Sequence, residues 1–224
     1  MHTHAMTANA IGSTPGRREE RTAFPSDRAT APPAAGHGEV RNALPGDLAV
    51  WIFIFAELLV FGVLFVAYAL ARRSHVELFN SEQALLDRQG GLVNTLVLIS
   101  SSFCVACAGA AIRINRVRTC IAWLCGAWAL GALFLALKAM EFSHDADIGM
   151  QLSRNLFDMF YLSLTFFHFM HVLMAMVIVS VVIRNAWLGR YSAASHAGVE
   201  TASSYWHMVD LVWIILFVLV YVLH

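Results

Sequence analysis

Five apolar runs decide what this chain can fold into. They cover residues 48–71, 92–112, 120–140, 159–183 and 205–223. Each reaches the roughly 20 residues that a helix needs to cross a hydrocarbon core. A transmembrane strand needs only about 10 residues with strict in–out alternation, and these runs are too long and too uniformly apolar for that. In lipid no water meets the backbone N–H and C=O groups, so such a run closes its hydrogen bonds within itself. The expected fold is all-α, an integral membrane five-helix bundle over residues 45–224. Composition agrees: 58% of the chain is hydrophobic and 13% charged, where a soluble domain carries about a quarter charged residues. The formal net charge is zero, so nothing points to nucleic acid as a partner.

Residues 1–44 read differently. All five prolines stand before residue 46, amid Arg, Ala, Thr and Gly. A segment of this kind buries too little apolar surface to offset its ordering entropy and is expected to be a disordered tail. Pro45-Gly46-Asp47 then makes a turn, with Asp47 placed to cap the first helix. The four cysteines (Cys104, Cys107, Cys120 and Cys125) lie inside apolar runs, where free thiols pack as small hydrophobes. Ser102, Ala106 and Ala110 on the second span, and Ala127 and Gly131 on the third, recur every fourth residue and mark faces for close helix packing.

Arginine distribution sets the expected orientation. With the N-terminus inside, ten arginines flank the spans on the inner side and four on the outer side, and Lys138 lies within a helix. The excess of positive charge belongs in the cytoplasm, which places the N-terminus cytoplasmic and the C-terminus outside, in the periplasm of a prokaryotic inner membrane.

Polar side chains inside spans are expensive and therefore informative. Glu57 is the one charged residue of the first run and lies about 14 Å from its start, near the middle of a core of about 30 Å. It must pair or stay protonated, either as a proton-linked or lipid-binding carboxyl or as a structural hydrogen-bond partner. His168 and His171, three apart on the fourth span, are expected to make interhelical hydrogen bonds. His171, about 18 Å from the inner boundary, matches the depth of Glu57. His207 and Asp210, three apart on the last span, sit in its inner third, to pair with each other or to bind a headgroup. His207 is about 3 Å from that boundary, a depth mismatch with the other histidines that argues against a shared metal or haem. Asp210 is expected to face the polar loop carrying Glu200. Arg184, at the inner end of the fourth span, is placed for a lipid phosphate. Lys138 and Glu141, an i,i+3 pair at the outer end of the third span, are expected to snorkel.

Several strings resemble one family. Trp51-Ile52-Phe53-Ile54-Phe55-Ala56-Glu57, followed by Phe61-Gly62, resembles the glutamate-bearing helix of haem-copper oxidase subunit III. Phe167-His168, His171-Val172, Gly198 with Glu200, and Tyr205-Trp206-His207 through Asp210 to Trp213 resemble that family in the same order. The likeness runs from about Pro45 to the C-terminus. Where the long form of the family has seven helices, the glutamate helix is here the first. Five-helix forms occur in quinol oxidases and in an accessory protein associated with nitric oxide reductase, and the Pro45-Gly46-Asp47 entry and short chain look more like the latter.

The resemblance implies a subunit with no catalytic centre, haem or metal of its own. It implies packing against a large haem-copper catalytic subunit, a structural phospholipid, and support of assembly, sustained turnover and proton uptake. Glu57 matches the family's carbodiimide-reactive glutamate, His171 the second His of its motif, and Glu200, His207 and Asp210 its polar positions in the last string. The alternatives are a short subunit III of an aerobic cytochrome c or quinol oxidase, a proton-coupled transporter using Glu57, Asp210 and the histidines, and a haem or copper carrier using His168, His171 and His207.

Overall fold

The computed structural model describes residues 48–147 and 149–223. The tail at 1–44 and the turn through Asp47 lie outside the described residues. The described part is helical: α1 (Leu48–Ser74), α2 (Val76–Gln83), α3 (Arg88–Arg113), α4 (Val117–Asp147), α5 (Leu156–Trp187) and α6 (Ala197–Phe217), which continues as a π-helical turn over Val218–Val222. Five of these, all but α2, are long and apolar enough to cross a membrane.

The spans outrun the apolar runs that announce them. α4 and α5 have 31 and 32 residues, about 47 Å at 1.5 Å per residue, so their ends project beyond a hydrocarbon core of about 30 Å. Helix ends are set by caps, not by hydropathy. Asp87 accepts a hydrogen bond from the Gln89 amide at 3.0 Å at the start of α3, and Asn155 accepts one from the Asp158 amide at 2.7 Å at the start of α5. Asn115, at φ 59° just beyond α3, supplies the left-handed turn that lets the Arg116 amide reach back to the Ala111 carbonyl at 2.9 Å. Gly149 does the same after α4 at φ 84°, with the Met150 amide on the Asp145 carbonyl. These are left-handed C-terminal stops.

α6 lies against α3, α5 and α1, and the most extensive packing joins α3 to α4. α1 is peripheral: its buried residues are Ile54, Phe61 and Tyr68, seven apart, so it touches the bundle along one narrow stripe. The expected small-residue face on α4 is correct: Ala127 and Gly131 are buried, and an added Cβ at Gly131 would stand 2.9 Å from the Trp206 ring. On α3 the expected face is displaced by one position. Ala106 and Ala110 are exposed, whereas Ser101, Val105, Ala108 and Ile112 are buried. Ser101 Oγ donates to the Ala127 carbonyl at 2.9 Å, which lets α3 and α4 approach closely.

The short α2 was not expected from the sequence. It lies between α1 and α3 and ties their connection to other elements. Gln83, buried at its end, donates to the Val220 carbonyl at 2.8 Å and to Tyr68 Oη at 3.2 Å. Glu82 meets Arg154 in a short ion pair and Asn155 at 3.1 Å.

Candidate functional site

Among the described residues, four groups of polar side chains along the bundle bear on the expected site. The first joins α1 to α5. His171 Nε2 lies 2.9 Å from Glu57 Oε2, the pair expected from matched depth. His171 Nδ1 is 2.6 Å from the Phe167 carbonyl. A carbonyl only accepts, so Nδ1 carries a hydrogen. Nε2 then either accepts from a protonated Glu57 or, in an imidazolium, donates to its carboxylate. Both forms hold one proton between the two side chains. The Phe61 ring meets the imidazole edge-on at 5.1 Å, and both side chains are about one-fifth exposed, 17% for His171 and 23% for Glu57.

His168 does not make the expected interhelical hydrogen bond. Three residues along a helix is a turn of about 300°, so His168 points roughly 60° away from His171 and into the core. It is buried, with neither ring nitrogen hydrogen-bonded, and it packs between Phe134 at 5.8 Å and Trp213 at 5.0 Å.

The second group joins α3 to α6. His207 Nδ1 meets Ser102 Oγ at 2.7 Å, and the Ser102 hydroxyl also faces Asp210, although neither carboxylate oxygen has a donor in hydrogen-bonding geometry. Asp210 is buried. Of the two expectations for these residues, their pairing with each other is therefore corrected. α6 begins at Ala197, eight residues before the apolar run. His207 is thus about 15 Å along the helix from its start.

Glu200 belongs to a third group, at the start of α6. It accepts from Arg113 at 3.2 Å and lies 3.3 Å from His196 Nε2. It lies about 15 Å along the helix from Asp210, so the expected approach of Asp210 to the Glu200 loop does not occur. Arg184, near the end of α5, is exposed and lines a cavity of about 320 Å³ with Trp128, Ser180 and Trp187.

The fourth group was missed. Lys138 is 1% exposed and does not snorkel. Its ammonium donates to Glu141 Oε1 at 2.9 Å and to Tyr221 Oη at 3.0 Å. Phe142, Tyr161, Trp213 and Tyr221 stand around it with ring centroids 5.3 to 5.6 Å away, within reach of cation–π attraction. Tyr221 donates to Glu141 Oε1 at 2.6 Å. Tyr161 Oη is 2.9 Å from Glu141 Oε1 and 3.0 Å from Asp145 Oδ2. The available signal was the i,i+3 spacing of Lys138 and Glu141, with Asp145 one turn on. The tyrosines that close the group come from α5 and the π turn, remote in sequence. Among the described residues, no three His, Cys, Asp or Glu side chains converge as metal ligands.

The family model described as cytochrome c oxidase subunit III matches residues 36–224. The chain is 38% identical over 177 residues to cytochrome c oxidase subunit 3 of Thermostichus vulcanus, covering 79% of this chain and 86% of that one. It is 37% identical over 206 residues to cytochrome c oxidase subunit 3 of Synechocystis sp., covering 91% of this chain and 87% of the relative. It is 27% identical over 173 residues to cytochrome bo(3) ubiquinol oxidase subunit 3 of Pseudomonas aeruginosa, covering 77% and 82%.

Proposed function

The chain belongs to the cytochrome c oxidase subunit III family, and from that premise we propose that it is the accessory subunit III of an aerobic haem-copper terminal oxidase, of the kind that takes electrons from cytochrome c. The observation that carries this reading is the extent of the likeness to a cytochrome c oxidase subunit 3, which spans 91% of this chain and 87% of the relative. The short chain and the Pro45-Gly46-Asp47 entry suggested a nitric oxide reductase accessory protein. Shortness does not discriminate, because subunits named for cytochrome c oxidase are matched over nearly their whole length. A quinol-oxidising partner is the second reading, favoured by the bo(3) relative.

On this reading the large subunit holds the haem and copper and performs the chemistry, and this chain supplies a membrane surface beside it. Arg184, set among Trp128, Ser180 and Trp187, is assigned to the phosphate of a structural lipid, and the chain needs no redox group of its own. The test is a deletion of the gene in an organism that respires with cytochrome c. Sustained oxygen consumption should fall, while the haem content of the large subunit, recovered in mild detergent, is retained. A deletion that leaves oxygen consumption intact and impairs nitric oxide reduction would return the reading to the nitric oxide reductase branch.

The arginine distribution supports a bacterial inner-membrane subunit with its N-terminus in the cytoplasm. A reporter enzyme fused after the last residue is expected to be active only on the periplasmic side. Activity in the cytoplasm would reverse the orientation.

A further inference from the structure

The group at the end of α4 has more negative than positive charge. Lys138 brings one ammonium, and Glu141 and Asp145 bring two carboxyls. The hydrogen bonds show where the difference is made up. Glu141 Oε1 receives Lys138, Tyr221 and Tyr161, at 2.9, 2.6 and 2.9 Å. Among the described residues Asp145 Oδ2 meets only the Tyr161 hydroxyl, at 3.0 Å, and a hydroxyl has a single hydrogen. If that hydrogen serves Glu141, an ionised Asp145 is left buried beside an oxygen with nothing to donate. A proton on Asp145 resolves this: Asp145 donates to Tyr161 Oη, Tyr161 donates to Glu141, and every short contact has its hydrogen.

A pocket of about 480 Å³ leads to the same carboxyls. Asp87 and His144 are exposed at its rim, and Asn94, Glu141 and Asp145 line its inner part. Asn94 is 2% exposed, and its amide oxygen has no donor although its nitrogen faces Glu141 Oε2 at 3.5 Å. A buried acceptor without a donor, beside a roomy polar pocket, is where a bridging water belongs. The groups facing Asp145 are Lys138, Glu141 and His144 from α4, Tyr161 from α5 and Tyr221 from the π turn, with Asn94 and Asp87 across the pocket on and before α3.

We propose that Asp145, with Tyr161 and Glu141, is a proton-binding site that takes up and releases one proton through the pocket between the start of α3 and the end of α4. The proton arrives on water. An O–H bond breaks in the hydronium and one forms on the Asp145 carboxyl, leaving water in the pocket. The Tyr161 hydroxyl then connects Asp145 to Glu141 as a relay. The site is at the opposite end of the bundle from Glu200 and is separate from the Glu57–His171 pair.

The test is infrared spectroscopy of the full chain carrying Asp210→Asn, which removes the signal of that other buried aspartate, in detergent, with and without carbon-13 in the aspartate carboxyls. A protonated-carboxyl stretching component that shifts with the label is expected near neutral pH. It should vanish on raising the pH and return on lowering it. It should be lost in Asp145→Asn, move to higher wavenumber in Tyr161→Phe, where its hydrogen bond is removed, and be lost in Glu141→Gln, where Lys138 balances the one remaining carboxylate. The proposal is overturned if the labelled component survives Asp145→Asn, if pH leaves it unchanged, or, should Asp145→Asn fail to fold, if Tyr161→Phe and Glu141→Gln both leave it unmoved.

Discussion

Lys138→Met is expected to destabilise the protein by about 3–5 kcal/mol, the range for removing one partner from a buried ion pair. The substitution keeps most of the volume of the side chain and deletes its charge. Glu141 loses the ammonium at 2.9 Å, and Tyr221 loses a donor at 3.0 Å. Four rings lose a cation at 5.3 to 5.6 Å. What remains is two carboxyls and no positive charge in a site where Lys138 itself is 1% exposed. The added change Glu141→Gln removes one of those carboxyls and keeps acceptors for Tyr161 and Tyr221. The double variant is therefore expected to recover more than half of the loss. Both are read as unfolding midpoints of the purified chain titrated with a denaturing detergent. A single variant within about 1 kcal/mol of the native chain, or a double variant whose effects add, would mean that the ammonium is not held by this group.

That cluster also shows where sequence reading stops. Hydropathy finds five spans because bilayer thickness dictates a minimum apolar length. It does not find their ends, because a helix continues through polar residues until a cap or a left-handed residue stops it. Glu200, Ser203 and Ser204 lie inside α6, so the apolar run starting at Tyr205 misses the first eight residues of that helix. Likewise Ser143, His144 and Asp145 extend α4 beyond its apolar run, and that extension carries Asp145 onto Tyr161. The Lys138–Glu141 spacing was legible. The enclosure of Lys138 was not, since Tyr161 and Tyr221 come from two other elements. His168 was misplaced for an angular reason: three residues on a helix share a side only loosely, and about 60° separates a ring that faces α1 from one inside an aromatic core. The pairing of Glu57 with His171 was legible because each lies deep in a span, where an error of a few residues at the helix start still leaves the two at similar depth.

That pair is expected to be energetically coupled by about 1–3 kcal/mol, measured by a double-mutant cycle with Glu57→Ala and His171→Ala. The contact is a single hydrogen bond of 2.9 Å between α1 and α5, and α1 otherwise meets the bundle along one stripe. Removing either partner leaves the other as a polar group in hydrocarbon, so each single variant should be destabilised. Removing both deletes two polar groups together, and the second truncation should do less harm than the first. Glu57→Gln is expected to be far milder than Glu57→Ala. With Nδ1 of His171 already donating to the Phe167 carbonyl at 2.6 Å, a neutral ring offers Nε2 as an acceptor, and the glutamine amide can donate to it as a protonated Glu57 would. If Gln instead proves as harmful as Ala, the pair is held by charge, with an imidazolium against a carboxylate. If the two alanine effects simply add, the contact does not couple the helices, and the hold of α1 on the bundle must come from its apolar stripe, Ile54, Phe61 and Tyr68 with the partly buried Val50, Leu58, Leu64 and Phe65 beside them.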